Sequence, residues 1–222
     1  MNELHETIRE IKSRFRLFMN GVISQSMREK GMGYKLNFGI EYPRIKEIAV
    51  GYEKNHELAQ ALWKEDIREC KIMAGLLQPT ETFYPEIAEI WMEDMRYPEL
   101  AEYTVMNLFQ YLPYAPERVF RWIADERPYF QLCGFLLMAR LLMRQLQLNE
   151  RGEAELLDQA VAAVEDTGQP FVRKAALTAL RKLAFSSDRQ SKEVLRQAEI
   201  WQQSARPEMA AIGTSLKEEL AG

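Results

Sequence analysis

The chain is poor in the side chains that bind transition metals or staple a fold: it holds two cysteines and two histidines. Cys70 and Cys133 lie far apart in apolar helical patterns, and His5 and His56 stand alone. A structural zinc needs such ligands clustered, so none is expected. Both thiols are expected to be free and buried, as suits a reducing cytoplasm. Long hydrophobic runs are also missing. The longest, residues 134–143, is broken by Arg140 and falls short of the roughly 20 residues of a membrane span. The segment MNELHETIREIKSRF is charged and has no apolar core, so no secretory signal is expected. The sequence has no P-loop, no Gly-x-Gly-x-x-Gly turn, no Gly-x-Ser-x-Gly elbow and no His-Glu-x-x-His. Gly31-Met-Gly33 is a connector too short to cradle a phosphate. No segment shows β-type alternation bounded by hairpin turns. A cytoplasmic monomer without metal or cofactor is the expectation.

What is present is helical patterning in a chain long enough to bury a core. With 222 residues it can bury roughly 70% of its unfolded surface, so it needs no staple. Prolines recur where helices should begin: Pro43, Pro85, Pro98, Pro116, Pro128, Pro170 and Pro207. Between them apolar residues return at helical spacing, as at Ile87, Ile90 and Trp91. Ser187-Asp-Arg-Gln190 reads as a capping box. The pattern predicts about eleven or twelve helices of about ten to eighteen residues. Loops are expected at 29–42, 79–84, 113–116, 147–152, 167–169 and 186–188.

Helix pairs on short links point to an α-solenoid or to a compact bundle. Trp91-Met-Glu-Asp-Met-Arg-Tyr-Pro98 and Trp122-Ile-Ala-Asp-Glu-Arg-Pro128 each place Trp, Asp and Arg ahead of a helix-starting proline. Their tryptophans are 31 residues apart, within the range of paired-helix repeats. The expected fold is therefore all-α: one solenoid domain, residues 1–222, of HEAT-like antiparallel helix pairs.

Charge is uneven along the chain. Residues 1–46 hold nine Lys/Arg against five Asp/Glu, residues 47–117 five against fourteen, and residues 118–222 fifteen against fourteen. The acidic middle weighs against a DNA track across it, although folding can segregate charges by face.

Three segments resemble the DNA alkylation repair (AlkD-like) family. Phe38-Gly-Ile-Glu-Tyr-Pro43-Arg-Ile-Lys46 resembles its opening motif. Leu62-Trp63 followed by Arg68-Glu69 resembles its next helix pair. Phe171-Val-Arg-Lys-Ala-Ala-Leu-Thr-Ala-Leu-Arg181 resembles a late helix. They occur in family order. The resemblance implies a HEAT-like solenoid whose concave face cradles duplex DNA. It also implies hydrolysis of the N-glycosidic bond of alkylated purines, with no cofactor.

Loss of a cationic purine leaves an oxocarbenium-like sugar, which calls for a nearby carboxylate and for aromatic faces. By resemblance, the family's Trp-Trp-Asp-x-Val-Asp segment falls on Tyr97-Pro98-Glu99-Leu100-Ala101-Glu102. Glu102 then takes the place of the catalytic carboxylate, and Tyr97 offers an aromatic face. Arg44, Lys46, Arg173 and Lys174 occupy positions suited to phosphate contact, and Thr178 takes the place of a tryptophan facing the DNA. Three departures stand out. Pro98 replaces the second Trp, Thr178 replaces another, and Pro128-Tyr129-Phe130-Gln131 supplies no Arg where the family has two. Each residue also has a plainer reading: Glu102 as a solvated carboxylate, the aromatics as packing, the cations as ordinary surface charge. The alternative function is a catalytically inactive HEAT-like module that binds a protein or another ligand.

Overall fold

The computed structural model describes residues 2–166 and 168–221, so Thr167 of the expected 167–169 loop lies outside the described residues. The described residues contain thirteen α-helices and no strand; Leu36 and Ile67 form one isolated bridge. The chain parts into two compact units, Met1–Pro113 and Tyr114–Gly222.

The first unit holds α1 (Asn2–Leu17), α2 (Gly21–Glu29), α3 (Tyr42–Ala49), α4 (His56–Lys64), α5 (Arg68–Leu77), α6 (Pro85–Asp94) and α7 (Pro98–Asn107). Single 3-10 turns lie at Thr80–Thr82 and Phe109–Tyr111. Helix α5 packs against α3, α4 and α7. The second unit holds α8 (Ala115–Ile123), α9 (Pro128–Met143), α10 (Glu150–Glu165), α11 (Pro170–Ala184), α12 (Asp188–Gln202) and α13 (Pro207–Ala221). Here α8 pairs with α9, α11 packs on α9, α10 and α12, and α12 pairs with α13. Short links make such neighbours antiparallel.

All seven flagged prolines sit at the first or second position of a helix. There the missing N–H has no helical partner to lose. Side-chain caps begin α2, α4, α10 and α12: Asn20, Asn55, Asn149 and Ser187 accept backbone N–H groups of the first turn. The capping box at Ser187 is half made. Ser187 Oγ accepts the Gln190 N–H at 3.2 Å, but the Gln190 amide donates to Glu153 at 2.7 Å instead of returning to the cap.

Thirteen helices exceed the expected eleven or twelve, because α2 to α8 run only eight to ten residues. The chain between them is tied by side chains rather than by helical hydrogen bonds, which the apolar period does not reveal. Close helix approach in the second unit rests on small residues. A Cβ on Gly134 of α9 would lie 2.7 Å from the Ile123 backbone nitrogen, and one on Gly213 would meet the backbone of α12. Ala175, Ala176 and Ala179 are buried on α11.

Candidate nucleic-acid interface

Two of the segments singled out in the sequence hold each other. Glu69 is fully buried and accepts the backbone N–H groups of Phe38 at 3.1 Å and Ile40 at 3.2 Å. Beside it, Arg68 donates to the Ile40 carbonyl at 2.9 Å and to Glu69 at 3.1 Å. Its other nitrogens grip Glu99 of α7 at 2.8 and 2.7 Å. This fork-to-fork geometry suits Arg and no other cation. Burial works against the charged guanidinium, but the hydrogen bonds and charges of Glu99 and Glu69 outweigh it and hold the Arg68 pKa above its ordinary value. The latch fixes the chain entering α3 to both α5 and α7. Gly39 completes it. Its φ of +70° is left-handed, and a Cβ there would run into the Asn20 carbonyl.

Held this way, α3 and α7 share an aromatic contact. Tyr42 and Tyr103 stack with centroids 4.5 Å apart, and the Tyr42 hydroxyl donates to Asn107 at 2.6 Å. Glu102, next to Tyr103, is exposed. Lys46 stands one turn beyond Tyr42, exposed and without an ion pair among the described residues. Arg44 pairs with Glu47 and lies over the Phe18 ring at 4.6 Å. Glu99 and Glu102 thus differ in kind. The first is held by Arg68, while the second is free to meet a solute.

A cavity of about 470 Å³ opens in this unit. Trp63 and Trp91 stack in its wall, with centroids 3.9 Å apart, and Lys71 lies over Trp63 while pairing with Asp94. Both indole systems are therefore already covered. Tyr97 also lines it. Its ring packs on Tyr34 at 4.6 Å, and its hydroxyl accepts the Gly33 N–H at 2.7 Å. The hydroxyl of Tyr34 and the indole N–H of Trp63 are buried and unpaired. Burial, then the Glu99 charge, push the Tyr34 phenol up. Among the described residues, no group of three or more His, Cys, Asp or Glu side chains is placed to hold a metal.

The sequence profile of the DNA alkylation repair enzyme family matches residues 11–209. The chain belongs to the DNA alkylation repair enzyme family. A solved structure described as "a new family of proteins related to the HEAT-like repeat DNA glycosylases with affinity for branched DNA structures" is similar with a TM-score of 0.75. The match covers 86% of this chain and 81% of that one at 15% identity. At this identity the likeness establishes the fold, a HEAT-like helical array. No curated protein sequence matches.

In this member of the family the expected site residues fall into separate groups. Tyr97, Glu102, Arg44 and Lys46 lie in the first unit, with Glu102 and the two cations exposed and Tyr97 in the cavity wall. Arg173, Lys174 and Thr178 lie on α11 in the second. Arg173 donates to the Asp166 carbonyl at 2.7 Å, capping the C-terminal end of α10. A cation ill-placed for its own helix is well placed for its neighbour's dipole. Lys174 is exposed without an ion pair, and the Thr178 hydroxyl donates to the Lys174 carbonyl at 2.9 Å. The latch role of Arg68 and Glu99 was missed. Arg68 and Glu69 open a buried helix, and charge in such a run is the available signal. Among the described residues, no helix is long and apolar enough to cross a membrane.

Proposed function

We propose that this protein binds DNA across the α3–α7 face and that Glu102 is its carboxylate for hydrolysing the N-glycosidic bond of alkylated purines. The observation that carries the reading is that face: an exposed carboxylate beside a Tyr42–Tyr103 stack, with the unpaired cation Lys46 on the adjoining helix. The aromatic pair attracts a cationic purine, and the carboxylate offsets the positive sugar formed as the bond breaks. Lys46 and Arg44 supply phosphate contacts there, and Lys174 does so on the second unit. Glu99 is not the acid, because Arg68 already occupies both its oxygens.

A second reading, DNA binding without excision, is favoured by Pro98, which begins α7 where the family pattern has a tryptophan. Incubation with duplex DNA carrying an N-alkylated purine separates them. Release of the base, lost in Glu102→Gln, supports hydrolysis. Tight binding with no release supports the second reading. Failure to bind duplex DNA at low salt refutes both.

A further inference from the structure

The turn between α1 and α2 exposes apolar side chains where a surface should be polar. Leu17, Phe18, Met19 and Val22 are 79%, 44%, 61% and 80% exposed. No other six-residue window of the described chain holds more than one large apolar side chain this exposed. A cluster of this kind marks a contact surface, whereas single exposed hydrophobes do not.

This turn is built rather than loose. The Asn20 N–H donates to the Phe38 carbonyl at 2.8 Å, and its side chain caps α2. The Ser24 hydroxyl donates to the Asn37 carbonyl at 2.7 Å. Gly39 lies directly beneath, where any side chain would strike the Asn20 carbonyl. The turn is therefore fixed on the same strap that Glu69 holds, and its apolar side chains point outward by construction.

Cations surround it. The Arg44 guanidinium covers the Phe18 ring. Arg14 and Arg44 flank an open groove of about 380 Å³ with Leu17, Phe18 and Ile48, Arg14 pairing with Glu10 and Arg44 with Glu47, which leaves Arg16 as the cation beside the turn with its charge unmatched. Arg16, next to Leu17, is exposed and has no ion pair.

We infer that this turn is a wedge for duplex DNA: Leu17, Phe18 and Met19 press between base pairs from the minor groove while Arg16 and Arg44 meet the flanking phosphates. Apolar side chains used this way unstack a base step, and the bend brings more phosphate within reach. The surplus of four positive charges over residues 1–46 complements a polyanion. A lipid surface is also anionic, but membrane-surface binding uses a broad apolar helix face. Here the apolar residues sit on a tight turn.

The inference rests on the DNA-binding reading and is tested apart from it. A duplex with 2-aminopurine at one step is titrated with the protein and with the triple variant Leu17→Ser, Phe18→Ser, Met19→Ser. The wild type should raise the fluorescence on binding. The variant should lose most of that rise and bind about tenfold more weakly, with a shallower salt slope because the unbent duplex brings fewer phosphates within reach. All three residues are exposed, so its melting temperature should match the wild type. A variant that keeps both signal and affinity overturns the wedge while leaving DNA binding intact. Wild-type protein that fails to bind duplex at low salt overturns the DNA reading and the wedge with it. Binding to phosphatidylserine vesicles, undiminished by competing duplex and lost in the variant, assigns the turn to a membrane and overturns the wedge.

Discussion

The two units use the same architecture and hold it together differently. Of the buried polar and charged residues described, Ser24, Asn37, Arg68, Glu69, Lys71, Gln78, Thr104 and Gln110 lie in the first unit, and only Gln190 in the second. The first builds on helices of eight to ten residues after α1, the second on helices of fifteen or sixteen after α8. In the first, a buried ion cluster joins α3, α5 and α7. In the second, glycine and alanine let long helices close on each other. Buried ions need defined partners, so they fix register strongly but fail badly when one partner is lost. Apolar contact tolerates more but depends on volume. The exposed apolar turn, the aromatic face and the cavity all belong to the unit with the polar latch.

The largest expected effect comes from breaking that latch. Arg68→Ala leaves Glu69 and Glu99 without their cation, and should cost about 3–5 kcal/mol in urea unfolding. The two cysteines report the units separately, since Cys70 lies in α5 and Cys133 in α9, both fully buried. Burial pushes both thiols up, so neither reacts until its helix opens. Thiol labelling of Arg68→Ala should speed up at Cys70 and hardly at Cys133. Equal acceleration at both would erase the distinction between the units.

Gly134→Val attacks the other unit. The new side chain meets the Ile123 backbone, and overpacking of this kind costs about 1–3 kcal/mol. Labelling should now quicken at Cys133. Asn20→Ala removes the two cap hydrogen bonds of α2 and should lower stability by about 1 kcal/mol. Tyr34→Phe deletes a buried hydroxyl without a partner, so its melting temperature should hold or rise, by less than about 1 kcal/mol equivalent. A clear loss would show that the hydroxyl is bonded.

The smallest effect is pH-dependent and belongs to the second unit. The hydrogen bond from Arg181 holds the Glu219 carboxyl below its usual range. A depressed acid stabilises the fold above its unfolded pKa, about 4.3, and the gain disappears as pH falls through the folded value. The pair is surface-exposed, so the gain is slight. Wild type and Arg181→Met should therefore differ slightly at pH 7 and converge in thermal melts as pH falls through the depressed folded-state value of Glu219.

Much of the fold was legible in sequence because proline acts locally. Each of the seven prolines fixed a helix start without help from distant residues. The repeat was harder to see, and the helices explain why. In the first unit, four side-chain contacts between segments each span 31 residues: Asp66 to Lys35, Glu69 to Phe38, Arg68 to Glu99, Gln60 to Trp91. In the second the separations are 36 to 41, as in Trp201 to Glu165, Gln190 to Glu153, Arg189 to Glu150 and Arg206 to Glu165. Longer helices lengthen the period, so no single spacing runs through the chain. The site was legible only in part. Resemblance pointed to the segment 97–102, but which of its two glutamates remains available depends on Arg68, 31 residues away from one of them. The exposed turn at Leu17 was invisible for a similar reason. A few apolar residues at the end of a helical stripe look like core until the packing shows that nothing covers them.

Binding of duplex DNA by wild type and Lys46→Ala across a range of salt concentrations tests the central claim most directly. The account predicts low-salt binding that weakens steeply with salt, with a slope smaller by about one in the variant. No binding at low salt, or a variant with the same affinity and slope, would contradict it.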